Sequence, residues 1–134
     1  MIKHVFSSAL KRRRKIIFTL LVLLLVSGSV LADTITVRPG ESIQKAIDLA
    51  SPGDTIEVMS GTYRGTLDIM KSVSLIGIDS GEGMPVIDAS SILGSVFMTA
   101  NNSQISGFRI ANRNVDGIDV ISSNNIISNL NSAN

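Results

Sequence analysis

Residues 34–63 read TITVRPGESIQKAIDLASPGDTIEVMSGTY, and the fold turns on how this stretch is parsed. Between Glu41 and Ala50, the residues Ile43, Ala46, Ile47 and Ala50 stand at i, i+3, i+4 and i+7. That spacing gathers apolar side chains on one face of a helix. Glu41 falls in its first turn, where a negative charge suits the positive end of the helix dipole. Pro39-Gly40 precedes the helix and Pro52-Gly53 follows it, so both ends are punctuated. About ten residues is marginal for a helix alone in water, and its Ile/Ala stripe must therefore be buried against something. The neighbours are Thr34-Ile35-Thr36-Val37 and Thr55-Ile56-Glu57-Val58, each apolar at every second place as a half-buried strand is. The expectation is strand, short helix, tight turn, strand, turn, with the helix laid as a lid over an open sheet edge.

After Tyr63 the chain becomes a series of short alternating pieces: Leu67–Ile69, Val73–Ile78, Val86-Ile87, Val96–Met98, Ile105–Ile110, Ile118–Val120 and Ile126-Ile127. Gly, Asn, Ser and Asp separate them. Val96, Met98, Asn102, Ile105 and Phe108 recur 22 residues later as Ile118, Val120, Asn124, Ile127 and Leu130. Leu67, Ile69, Leu75, Gly77 and Ile78 read as an earlier, looser copy, stretched by the loop Asp79–Pro85. A unit this small cannot bury its own apolar face and must stack on a copy of itself. Stacked coils put equivalent residues above one another, as in a parallel β-helix, with Ile105 and Ile127 inward and the intervening Asp, Arg and Ser outward. An antiparallel sandwich would explain the alternation but not the 22-residue recurrence. All nine asparagines lie at or after position 101. Asn tolerates left-handed backbone and suits sharp turns, and stacked turns can align such amides into a ladder. Asn101-Asn102-Ser103 also matches a glycosylation sequon, although a turn asparagine is the simpler account.

The stretch RPGESIQKAIDLASPGDTIEVMSGTY resembles the N-terminal segment of right-handed parallel β-helix proteins. These include pectate-lyase-like folds, carbohydrate-binding and sugar-hydrolase domains, and the NosD-type periplasmic family. With the repeats, the resemblance runs from Thr34 to the end of the chain. It implies an all-β, right-handed parallel β-helix solenoid with a short N-terminal capping helix. It implies fold more strongly than function, since one scaffold carries many activities.

Upstream lies a leader. Lys3, His4 and the run Lys11-Arg12-Arg13-Arg14-Lys15 precede the apolar IIFTLLVLLLV of Ile16–Val26, and Ser27–Ala32 is rich in small residues. This is the order of a secretory signal peptide, here 1–32, with cleavage expected after Ala32. The competing reading is an uncleaved anchor, for Ile16–Ala32 has 17 residues, the short limit for crossing a bilayer. Residues 33–134 are then the capping segment and first coils of the solenoid. Asn129–Asn134 stops within a repeat, which predicts a truncated chain or self-association through an open C-terminal coil. Six of the twelve Lys and Arg sit in residues 1–32 and all eleven Asp and Glu lie beyond, so the processed chain carries a formal charge of −5. That argues against nucleic acid as a partner, and leaves membrane contact to an uncleaved leader.

No cysteine occurs, so stability must come from stacking rather than disulfides. The lone His4 lies in the leader, and no Ser/His/Asp set, His-rich motif or phosphate-cradling loop remains. Asp116, Asp119, Asp88 and Arg109 are the acid and base residues nearest to a lyase or glycosidase pattern, but Asp119 alternates with Ile118 and Val120 as a solvated strand charge does. The NosD-type resemblance implies copper handling. Only Met59, Met70, Met84 and Met98 remain as soft ligands, and Met70 and Met98 read as core filler. No catalytic, cofactor or metal site is therefore assigned. The expectation is an exported, non-catalytic β-helix of the cell surface or periplasm, structural or binding extracellular polysaccharide or cell-envelope glycan. The alternative is the N-terminal portion of a polysaccharide lyase or hydrolase whose active site lies beyond residue 134.

Overall fold

The computed structural model describes residues 31–90, 96–111 and 117–133. The chain divides into two units, Met1–Leu31 and Ala32–Asn134, and the solenoid is the second. The leader sequence through residue 30, Asp116, and the asparagines at 112, 114 and 134 lie outside the described residues.

The solenoid is built from short strands in a fixed rotation among three sheets. β1 (Thr34–Val37) is followed by α1 (Ile43–Leu49). Then come β2 (Thr55–Met59), β3 (Thr62–Arg64) and β4 (Leu67–Ile69) as one coil, and β5 (Ser74–Ile78), β6 (Val86–Asp88) and β7 (Val96–Met98) as the next. β8 (Gln104–Ser106), β9 (Arg109–Ala111) and β10 (Ile118–Val120) make a third, and β11 (Ile126–Ser128) and β12 (Asn131–Ala133) begin a fourth. Sheet A has the order β1-β2-β5-β8-β11, sheet B β12-β9-β6-β3 and sheet C β10-β7-β4. Every pairing is parallel. This is the parallel β-solenoid with one short helix that the repeats require, and the antiparallel sandwich is excluded.

The core is a set of aliphatic columns. In sheet A, Ile35, Ile56, Leu75, Ile105 and Ile127 are register partners in succession. In sheet C, Leu67 stacks on Val96 and Ile118, and Ile69 on Met98 and Val120. In sheet B, Tyr63 stacks on Ile87 and Ile110. The 22-residue recurrence is thus a true register: Val96 with Ile118, Met98 with Val120, Ile105 with Ile127. Asn102 and Asn124 share it as left-handed turn residues, with φ of 57° and 59°.

Several expectations need correction. The helix begins at Ile43 with Ser42 as N-cap, so Glu41 precedes it, and its carboxylate instead accepts the Arg38 N–H at 2.7 Å. Thr62–Arg64 is a strand of sheet B rather than a turn. In the looser copy it is Leu75, not Gly77, that stacks on Ile105. Met70, expected as core filler, is 62% exposed just past the end of β4, whereas Met98 is fully buried. Ile127 keeps the inward register but is 45% exposed, because β8 covers one edge of β11 and it ends the sheet order. The asparagines tie coil to coil through the backbone instead of through one another: Asn101 Oδ1 accepts the Ser123 N–H and Asn125 Oδ1 the Ser103 N–H. Within the sequon, Ser103 is buried and its hydroxyl donates to the Lys71 and Ala100 carbonyls.

The helix does act as a lid, and the atoms show how. Ile43, Ala46, Ile47 and Ala50 are all buried. From the first turn, Gln44 Nε2 donates to the Asp68 carbonyl at 3.2 Å, and the Asp68 N–H donates to Gln44 Oε1 at 2.8 Å. One side-chain amide thus takes the place of a neighbouring strand at the edge of β4. It satisfies backbone groups that would otherwise be exposed for pairing with another chain.

Candidate functional site

Alternation fixes which side chains the three sheets present to solvent. On sheet A the outward residues form two rows in register: Thr34, Thr55, Ser74, Gln104 and Ile126, and Thr36, Glu57, Ile76, Ser106 and Ser128. Hydroxyls and an amide dominate, with Glu57 the one charge in the set. On sheet B, Thr62, Val86, Arg109 and Asn131 make one outward row and Arg64, Asp88 and Ala111 the other. Arg64 Nε lies 3.7 Å from Asp88 Oδ2, an exposed pair of small energetic weight.

Sheet C carries the most distinctive row. Asp68 on β4, Phe97 on β7 and Asp119 on β10 are successive register partners, about 4.8 Å apart from strand to strand. Leu67 and Ile69 on one strand, and Val96 and Met98 on the next, turn inward. The residue between each pair is thereby driven outward. Phe97 and Asp68 are half-buried and Asp119 is exposed. The Asp68 backbone is held by Gln44, while its Oδ1 is buried and has no hydrogen-bond partner among the described residues. Such a buried acceptor is costly to leave unmade.

The residues singled out from sequence are not brought together. Asp88 and Arg109 share sheet B but occupy different rows, with Asp88 engaged by Arg64 and Ser90. Asp119 belongs to sheet C. The methionines are likewise divided. Met59 is half-buried opposite Ile78, Met98 is core, Met70 is exposed, and Met84 Sδ receives the Asn131 amide at 3.6 Å. Among the described residues no group of three or more His, Cys, Asp or Glu is arranged to hold a metal ion.

Two concavities flank α1. One, of about 170 Å³, lies among Glu41, Gln44, Tyr63, Arg64 and Leu67. The other, of about 460 Å³, opens between β1 and α1 along Ile35, Val37, Lys45 and Leu49. Beside the first, the Tyr63 hydroxyl donates to the Met59 carbonyl at 2.8 Å. Burial, and secondarily the charge of Glu41, raises the phenol above its ordinary range.

Asp54 is a further residue, directly after the Pro52-Gly53 turn, that nothing in the sequence pattern singles out. It is buried, and its two carboxylate oxygens accept the Asp33 N–H at 2.9 Å and the Ser51 N–H at 2.8 Å. Those backbone donors, Asp33 first, hold its carboxyl below the usual range against the opposing effect of burial.

No protein-family model matches this chain, no curated protein matches it, and no solved structure matches it.

Proposed function

We propose that the chain is an exported, non-catalytic parallel β-solenoid of the cell surface or periplasm, structural or carbohydrate-binding, with glycan binding the version that has most support. Extracellular polysaccharide or cell-envelope glycan is the partner. The single observation that carries the proposal is the row Asp68–Phe97–Asp119 on the outside of sheet C. A partly exposed ring offers a flat apolar face to the C–H groups of a sugar. The exposed Asp119 carboxylate and the half-buried Asp68 on either side accept hydrogen bonds from its hydroxyls. The hydroxyl rows of sheet A extend a similar polar surface around the coil. The leader, with its basic run, apolar segment and Ala32, supports export.

Calorimetric titration of the processed protein with purified cell-envelope polysaccharides tests the binding. Phe97→Ala should weaken it roughly tenfold, the equivalent of the ~1.4 kcal/mol that an aromatic contact can carry, while the melting temperature stays close to that of the parent. Absence of binding to every polysaccharide fraction, or equal binding by the variant, rejects the reading. Release of reducing sugar would replace it with the hydrolase alternative. Self-association belongs to the same proposal, since Ile121, Ile126 and Ile127 are exposed on the last coil. Sedimentation should show a concentration-dependent mass that Ile127→Lys abolishes, and a monomer at every concentration removes this part.

A further inference from the structure

We propose that Asp54 is the receptor for the α-amino group created at Asp33 when the leader is removed, so that processing locks the first coil. The inference rests on the export reading for the cut itself and on the structure for the receptor. The Asp33 nitrogen already lies 2.9 Å from Asp54 Oδ1. It is held there by bonds that owe nothing to earlier residues: the Thr55 N–H donates to the Asp33 carbonyl and the Thr34 N–H to Asp33 Oδ1, each at 2.9 Å. The receptor is fixed as well. Asp54 Oδ2 accepts the Ser51 N–H, the Asp54 N–H donates to the Ser51 carbonyl, and the Asp54 carbonyl accepts the Ser74 N–H of the next coil. Before cleavage this buried carboxylate faces two neutral donors, a partial match for a full negative charge.

Hydrolysis completes it. Water adds across the Ala32–Asp33 amide, its hydroxyl passing to the Ala32 carbonyl carbon and a hydrogen to the Asp33 nitrogen. At neutral pH the new amine takes a further proton from solvent. An amide N–H···carboxylate bond, assisted only by the charge on Asp54, thereby becomes an ammonium–carboxylate pair with charge on both partners. Among the described residues every core side chain lies at or after Ile35, and Leu31 is exposed. Among the described residues the carboxylates bonded at this site are those of Asp54 and of Asp33 itself. The Lys71 ammonium is occupied by the carbonyls of Asp48 and Ala50.

The test compares melting temperatures of three chains ending at Asn134: one beginning at Asp33, the same chain acetylated at its α-amine, and one beginning at Ala32. The free Asp33 amine should raise the melting temperature by roughly 2–5 °C over both others. Asp54→Asn should erase that difference. The increment should also fade as pH rises above the ordinary α-amino range of ~7.7–8.0, because the ammonium's folded pKa is raised and its contribution is lost on deprotonation. Equal melting of the three wild-type chains overturns the receptor without any need for the Asp54 variant, and so does an increment that survives in Asp54→Asn. The intact mass of exported protein addresses the cut separately. A first residue other than Asp33 overturns the processing step, whatever the amine does in the chain prepared to start there.

Discussion

Gly77→Ala is the sharpest test of the stacking. Gly77 lies inside β5 in one coil and Gly107 just past β8 in the next, each one residue past the Ile76–Ser106 partners. A Cβ built on Gly77 would stand 2.1 Å from the Gly107 carbonyl oxygen and 2.8 Å from the Pro85 ring, against 3.4 Å or more for ordinary contact. More than an ångström must therefore open between two strands spaced about 4.8 Å apart. What gives way is backbone, not the end of a flexible side chain. The bonds at risk include Arg109 N–H to the Pro85 carbonyl and Gly107 N–H to the Asn129 carbonyl, at 3.0 and 3.1 Å. Overpacking of this kind costs ~1–3 kcal/mol, and the rigid partners place Gly77→Ala toward ~3 kcal/mol. At about 4–8 °C per kcal/mol for a domain of this size, the melting temperature should fall by roughly 12–24 °C. Thermal and urea unfolding followed by circular dichroism would measure it. Two controls separate clash from backbone strain. Among the described residues a Gly117→Ala methyl meets only Ile110 Cγ2 at 3.5 Å and should be neutral, whereas Gly53→Ala has open space but a φ of +97° and should cost ~1–2 kcal/mol. A Gly77→Ala protein within about 0.5 kcal/mol of the parent would mean that the two coils do not approach as described.

Three further outcomes follow from the same geometry. Ile105→Ala should cost ~2–5 kcal/mol, while Ile127→Ala, its register partner one coil on, should cost under ~1.5 kcal/mol because nearly half of that side chain is already in water; urea titration compares them, and equal losses would contradict the uncovered last coil. Gln44→Leu should cost ~1–3 kcal/mol by leaving the Asp68 N–H and carbonyl without partners, read as a lower melting temperature and faster amide exchange at Asp68, and an unchanged exchange rate would show that the lid satisfies nothing. Asp54 has a depressed folded pKa, so its stabilisation is present above the unfolded value of ~3.9 and is lost as pH falls through the folded one. Asp54→Asn should accordingly flatten the acid limb of the stability profile, and a variant that keeps the full acid loss would assign that limb to other carboxylates.

What the sequence disclosed and what it hid have one physical cause. Inward residues recur because every coil needs them: Val96, Met98 and Ile105 announced Ile118, Val120 and Ile127 at a constant spacing, and the register follows it. The helix stripe was legible for the same reason, since Ile43, Ala46, Ile47 and Ala50 all face the core. Its start was misplaced by the charge of Glu41, although Ser42 directly before Ile43 is a preferred N-cap type, and the Lys45 N–H donates to Ser42 Oγ. Met70 misled because an apolar residue one place past a strand end continues the composition but not the alternation. Outward residues obey no such repetition. Phe97 follows Asp68 by 29 residues and precedes Asp119 by 22, and the loop Asp79–Pro85, pinned by Ser60 and by the turn of Asp79, absorbs the excess. Register partners stand 19 residues apart from Thr55 to Ser74, 30 from Ser74 to Gln104 and 22 from Gln104 to Ile126, a variation that hides a row aligned only after folding. The inward register fixes the coil boundaries, and only through them do Asp68, Phe97 and Asp119 fall into one row while Asp88 and Arg109 fall into separate ones.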